Sequence, residues 1–221
     1  MTSHDWSDVR ERLSRLAAAR PARAVFGSEG HRWNLEPPLS TGELAELEKQ
    51  LRVELPEEYR SFLLEAGRGG AGPSYGLFSV RRVAGRWRWE GSEADRTDLD
   101  ILDQPFPHVE AFNPASPPGE ADFGSPEEFR TALEEYWGWY ETTVDDPRHS
   151  IGMLHLCHLG CSHLEGLVVT GPARGRMWAN SIMSDEGFQP LFDDDGMPLG
   201  FARWYLRWLE EAEAQVLPSA R

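Results

Sequence analysis

Positive charge of the lysine kind is almost missing from this chain. Lys49 is the only lysine, so arginine supplies nearly all of the 22 basic side chains, against 37 acids and a formal net charge of -15. That balance argues against direct binding to nucleic acid or to an anionic membrane, since neutralising phosphates needs a basic surface. It favours solubility or a basic protein partner. Cysteine is scarce as well. Cys157 and Cys161 are the only two in 221 residues, too few for a disulfide framework, and they fit a reducing compartment. No apolar run approaches the roughly 20 residues that span a bilayer. The segment MTSHDWSDVRERLSRLAAAR mixes acids with bases and lacks the apolar core of a signal peptide, so the expected location is the cytoplasm. There is no internal repeat and no low-complexity tract. The abundance of Ala, Gly and Arg has the look of a GC-rich bacterial genome.

The most informative stretch runs from Leu39 to Val80 and reads as helix, short turn, helix, glycine-rich loop, strand. Ser40 and Glu43 have the spacing of a capping box, and Leu44, Leu47 and Leu51 follow on one helical face. Pro56 suits the first position of a second helix, whose apolar stripe is Tyr59, Phe62, Leu63 and Ala66. Gly67, Gly69, Gly70 and Gly72 stop it and let a loop pass close to other backbone. Before this pair, a helix is expected over about Trp6 to Ala19, with Trp6, Val9, Leu13 and Leu16 on one side, separated from the pair by Pro21 and the glycines at 27 and 30.

After Val80, RRVAGRWRWEGS reads as a hairpin in which Trp87 and Trp89 alternate with Arg86 and Arg88 and fill a core. Residues 90–124 are acidic at first and then rich in Pro and Gly, an irregular surface excursion. Ser125 to Glu128 opens a helix that ends near Val144, with Phe129, Leu133, Tyr136, Trp137 and Tyr140 along one face. Strands are expected over Ile151 to His158, Glu165 to Thr170 and Arg176 to Asn180. Their tight glycine turns favour antiparallel pairing. An amphipathic helix through Phe201, Trp204, Tyr205, Trp208 and Leu209 closes the pattern.

Three groups of residues invite a chemical reading. Gly72 to Gly76 matches G-x-S-x-G, the nucleophile elbow of hydrolases, but that turn works with a strand entering and a helix leaving. Here the order is reversed, which favours a plain connecting loop around Ser74. His155, Cys157, His158, Cys161 and His163 are the densest set of potential metal ligands. Strand alternation puts His155 and Cys157 on one face and His158 on the other, and no second ligand pair follows at finger-like spacing. Small buried cysteines with rim histidines are the favoured reading. Asp193 to Gly196 fails the calcium-loop pattern, since Leu191 falls on the first ligand position and Ala202 on the last. No catalytic residue, metal site or cofactor is therefore assigned. A serine hydrolase or a zinc-binding protein stands as the lesser alternative.

The residues LEKQLRVELPEEYRSFLLEAGRGG resemble the signature of the SUKH superfamily, which includes the yeast Smi/Knr cell-wall regulators and many bacterial immunity proteins. The string LHLCHLGCSHLEGLVVTGPARGRMWAN resembles the later strands of bacterial members, with Met177 where Val is usual. Together the resemblance covers about Leu39 to Val80 and Leu154 to Glu210. It implies an α+β fold with a mostly antiparallel sheet and packed helices. The expected layout is an N-terminal helical extension (1–30), a SUKH-like domain (31–215) carrying the irregular acidic segment 90–124, and a tail (216–221). It further implies a non-enzymatic protein-binding domain, an immunity protein that neutralises a bacterial toxin such as a nuclease by occlusion. The alternative is an intracellular regulatory module with a cellular partner. The acidic run Glu90, Glu93, Asp95, Asp98, Asp100 and Asp103 is the expected contact region for a basic partner, because of its charge and its place in the least family-like part.

Overall fold

The structure is a computed structural model and describes residues 5–19, 25–113, 116–144, 146–182 and 186–217. Pro21 and the end of the expected tail, 218–221, lie outside these. The elements in chain order are α1 (Val9–Ala18), α2 (Ser28–His31), α3 (Thr41–Leu51), α4 (Glu57–Glu65), β1 (Ser79–Val83), β2 (Arg86–Glu90), α5 (Pro126–Val144), β3 (Met153–Gly160), β4 (His163–Val168), β5 (Met177–Ser181), β6 (Gly187–Pro190) and α6 (Phe201–Val216). The fold is α+β. β1 and β2 form a two-stranded hairpin, and β3-β4-β5-β6 form a four-stranded antiparallel sheet in chain order.

The helical pair forms as its caps dictate. Ser40 Oγ accepts from the Glu43 amide while the Glu43 carboxylate accepts from the Ser40 amide, so both ends of the capping box are made. Leu44, Leu47 and Leu51 are buried on one face. α4 starts one residue later than its proline suggested. Pro56 is the cap itself, and its carbonyl accepts from the amides of Tyr59 and Arg60. Glu48 bridges the two helices, accepting from the Leu55 amide at 2.8 Å and lying 2.8 Å from Arg60 Nε.

Four rings build the centre of the helical layer. Phe62 of α4 touches Trp6, Phe201 and Tyr205, with centroids 4.9–5.1 Å apart. Such offset and edge contacts add to area burial. Trp6 donates to Ser61 Oγ at 2.9 Å and Tyr205 donates to the Ala71 carbonyl at 3.0 Å, so the polar ends of these rings are satisfied. α1 packs on α6, where Arg12 grips Glu213 through Nε and Nη2 at 3.1 and 2.7 Å. The carboxylate of Glu58 reaches the start of α6 and accepts from the Ala202 amide at 2.9 Å, a favourable place for negative charge.

The glycine loop after α4 threads between two other backbone segments. Gly70 pairs with both Leu35 and Leu77, and a Cβ there would sit 2.3 Å from the Asn34 carbonyl oxygen. The β1–β2 hairpin turns at Ala84-Gly85, both with positive φ. Trp87 and Trp89 point into the core as expected and Arg86 and Arg88 point out. The Gln50 side chain pairs with the Trp87 backbone in both directions, at 2.7 Å each. It thereby ties α3 to β2.

The four-stranded sheet is covered on both faces. One face joins the helical core through Leu154, Leu156, Cys157, Leu167 and Val169. The other holds a smaller cluster of Phe106, Tyr140, Met153, Val168, Trp178, Ile182 and Phe188. Phe106 and half-buried Phe112 come from the segment read as a surface excursion. Phe112 and Phe188 exchange backbone hydrogen bonds at 2.8 and 2.6 Å along the edge of β6. On the opposite edge, Leu77 bridges Cys157, and Phe78 donates its amide to Leu156.

Candidate protein-binding site

The acidic run begins at the end of β2 and lies across a short 3-10 turn, Ala94–Arg96. The chain's own cations hold much of it. Glu90 is 2.6 Å from Arg88 and 3.2 Å from Arg81. Asp100 is 3.2 Å from Arg86, and Asp103 is 2.6 Å from Arg52, which also donates to the Asp100 carbonyl. The Arg52 hydrogen bond holds the Asp103 carboxyl below its ordinary range. Glu93 lies 3.2 Å from His158 and accepts from Ser162 Oγ at 3.3 Å. Asp95 and Asp98 are exposed, and neither pairs with a cation among the described residues. The run is thus a strapped, shaped surface in which two carboxylates, Asp95 and Asp98, have no cation partner among the described residues, although Asp98 accepts from the Asp100 amide at 2.9 Å. Thr97 anchors it from below.

Thr97 Oγ1 accepts from the His155 amide at 3.0 Å and lies 3.0 Å from His155 Nδ1. On the other side of the ring, Asn180 Nδ2 lies 3.0 Å from Nε2. With the amide donating to Nε2, the ring is the neutral Nδ1–H tautomer. Burial pushes the His155 pKa down to about 3, helped by the nearby Arg96 charge. Its role is to tie the acidic segment to β3 and β5.

The alternation expected for β3 does not hold. The register shifts between His155 and Cys157, so Leu156 and Cys157 both face the helical core. His155 turns to Asn180 on the other side. A bulge of this kind re-aims side chains, and periodicity cannot show it. The five potential metal ligands are dispersed accordingly. His158 stacks on Tyr75, His163 Nδ1 lies 2.7 Å from Ser181 Oγ, and Cys161 is exposed at the β3–β4 turn. Among the described residues no three His, Cys, Asp or Glu side chains converge as a metal site would need. Ser74 has positive φ in a loop leading to β1, and no histidine or carboxylate hydrogen-bonds its hydroxyl among the described residues.

Sequence reading passed over one further group, Glu165. It is the third residue of β4, across from Cys157 on β3 and Ala179 on β5. Strand alternation places it on the face of Leu167 and Val169, which are core residues. That alternation was the available signal. Its Oε2 accepts from Trp204 Nε1 at 2.8 Å and lies 3.9 Å from Cys157 Sγ. Burial raises the Glu165 pKa, against the lowering effect of those two hydrogen bonds. Burial likewise raises the Cys157 thiol, so it is not a reactive thiolate. Glu165 lines a groove of about 520 Å³ between α6 and the loops at residues 25–26, 73–74 and 191–192. The groove has an aromatic rim. Phe26 and Phe192 are 61% and 49% exposed, and Phe26 packs edge-on against Tyr75, itself 52% exposed. Tyr75 stacks on His158 at 5.7 Å, and His158 meets Glu93. This chain of contacts joins the groove to the acidic run as one continuous surface.

Residues 38–108 match the SMI1 / KNR4 family (SUKH-1). The match supports SUKH superfamily membership. It covers about a third of the chain, from the start of the capped helical pair through the acidic run to the core residue Phe106. The later strands and α6 lie outside it. No curated protein and no solved structure matches the chain. The SUKH match supports a protein-interaction domain and a protein partner in general terms. Among the described residues no helix is long and apolar enough to cross a membrane.

Proposed function

We propose that this SUKH chain is a cytoplasmic immunity protein that binds a bacterial toxin and neutralises it by covering its active cleft. A basic nuclease domain is the toxin class its charge fits best. The observation that carries the reading is the pairing of a SUKH match over residues 38–108 with a net charge of -15. Glu90, Glu93, Asp95, Asp98, Asp100 and Asp103 form the proposed contact region, on the surface the match includes. A negative surface steers a basic partner and speeds encounter, while apolar contacts hold the complex. Asp95 and Asp98 are the two acids of the run with charge to spare for a partner. The bound toxin would lose access to nucleic acid, and the chain itself would need no cofactor and no catalytic residue.

The test begins with the DNA flanking the gene. An adjacent gene for a large exported protein with a short basic C-terminal domain supplies the toxin to co-express. Protection of the host cell is the expected result. Changing Asp95 and Asp98 to Lys should then slow association and flatten its salt dependence. Unchanged kinetics would remove the acidic run from the contact. A neighbourhood of unrelated regulatory or metabolic genes, with no protection, would move the chain to the regulatory-module reading.

A further inference from the structure

We propose that the groove floored by Glu165 is a receptor for a single arginine side chain presented by a basic protein partner. The inference deepens the protein-binding reading and rests on it. A carboxylate on the core face of a strand is costly unless its oxygens are satisfied. Here Oε2 has both contacts, from Trp204 and Cys157, and Oε1 accepts no hydrogen bond from the described residues. The chain has a cation at the groove edge and does not use it. Arg207 pairs with Glu211 at 2.9 Å and Asp194 at 3.2 Å instead. The acid is thus left open to the groove, with no partner charge of its own.

The walls select among the cations that could fill it. Trp204, Trp208, Leu191 and Phe192 line the groove, and a space of about 520 Å³ holds a side chain of arginine length. A guanidinium is planar, stacks on aromatic faces and is weakly hydrated, whereas an ammonium surrenders its water less readily. One of its N–H donors can make a charge-assisted hydrogen bond to the open Oε1. The placement suits an interface. A ring-walled groove for one arginine, beside an acidic surface that attracts a basic partner, has the arrangement of a binding hot spot. The path Phe26–Tyr75–His158–Glu93 sets that pocket next to the acidic run.

The test uses the full chain and needs no toxin. Ac-Gly-Arg-Gly-NH₂ is titrated while the tryptophan indole N–H resonances are followed by NMR. The control is the same peptide with citrulline, which keeps the shape and loses the charge. The arginine peptide should shift the Trp204 indole resonance saturably, and the citrulline peptide should bind about tenfold more weakly or worse. Glu165→Gln should abolish that preference while the melting temperature at neutral pH holds or rises. If Glu165→Gln fails to fold, Phe192→Ala, a change at the exposed rim, should weaken arginine binding in a folded protein. Equal binding of the two peptides, no binding at tens of millimolar, or arginine binding untouched by both variants would overturn the proposal. A chain that binds the arginine peptide yet fails to protect against its toxin keeps the groove and discards the immunity reading.

Discussion

Helices α5 and α6 are both long and both rich in aromatic residues, yet the fold treats them in opposite ways. In α6, eight of 16 residues are buried, among them Phe201, Trp204, Tyr205 and Trp208. In α5, Tyr140 alone among the described side chains is fully buried, although Phe129, Leu133, Tyr136 and Tyr140 repeat at helical spacing. Trp137 and Trp139 are 43% and 44% exposed. The two helices have the same kind of periodicity. What differs is the neighbours. α6 has α1 and α4 to pack against and the sheet beneath it, while α5 meets the second cluster through buried Tyr140 and half-buried Tyr136. Periodicity identifies the apolar face of a helix; the tertiary fold decides whether anything covers it.

This contrast can be broken most sharply at Phe62, which is fully buried against the rings of α6. Phe62→Ala should cost about 3 to 5 kcal/mol in urea unfolding. A loss below about 1 kcal/mol would mean that the α4–α6 interface is not the centre of the core.

The next largest effect is expected from pH. His155 is held neutral in the fold with a pKa near 3, so the unfolded chain takes up its proton first as pH falls. Stability from this group is full above about pH 6.5 and is lost as pH drops toward 3. Between pH 6.5 and 5 it should fall by on the order of 2 kcal/mol. His31, pushed down to about 4 by burial, acts in the same direction. Glu165 opposes both, since a raised carboxyl favours the fold when protonated. A His155→Asn variant should show a visibly shallower acid slope. An unchanged slope would remove His155 as its source.

On the α5 side the effects shrink. Tyr140 donates its hydroxyl to the Ile182 carbonyl, so Tyr140→Phe should cost about 1 kcal/mol. Trp137→Ala should move stability by no more than about 0.5 kcal/mol, as at other open surface sites. A cost above about 2 kcal/mol would show that something covers α5 in solution.

Much of this fold is legible in the residues. Ser40 and Glu43 announce a helix start, the leucine and ring stripes announce its buried face, and Trp87 and Trp89 announce the hairpin's inner side. These signals are local, and local geometry fixes them. What could not be read depends on distant contacts. Phe106 and Phe112 lie in a Pro-rich stretch with no period. Backbone pairing with Phe188 places Phe112, while an amide bond to Thr170 and ring contacts with Trp178 and Phe188 place Phe106. The bulge at Leu156 adds one residue to a strand without leaving any mark in composition. Glu165 looks like an ordinary strand acid until α6 is laid over it. Most of the acids in the expected contact run proved to be held by Arg52, Arg81, Arg86, Arg88 and His158, and those pairings cannot be foreseen from a count of charges.

The edges of the four-stranded sheet carry one more consequence. Unpaired outer strands are templates for a foreign strand, whether from a second copy or from a binding partner. Here Leu77 and Phe78 close β3 on one side, and Phe112 closes β6 on the other. The glycine loop and the Pro-rich segment thereby act as guards against polymerisation by strand addition. A molecule that docks at either guarded position has to read side chains, because the backbone there is already paired.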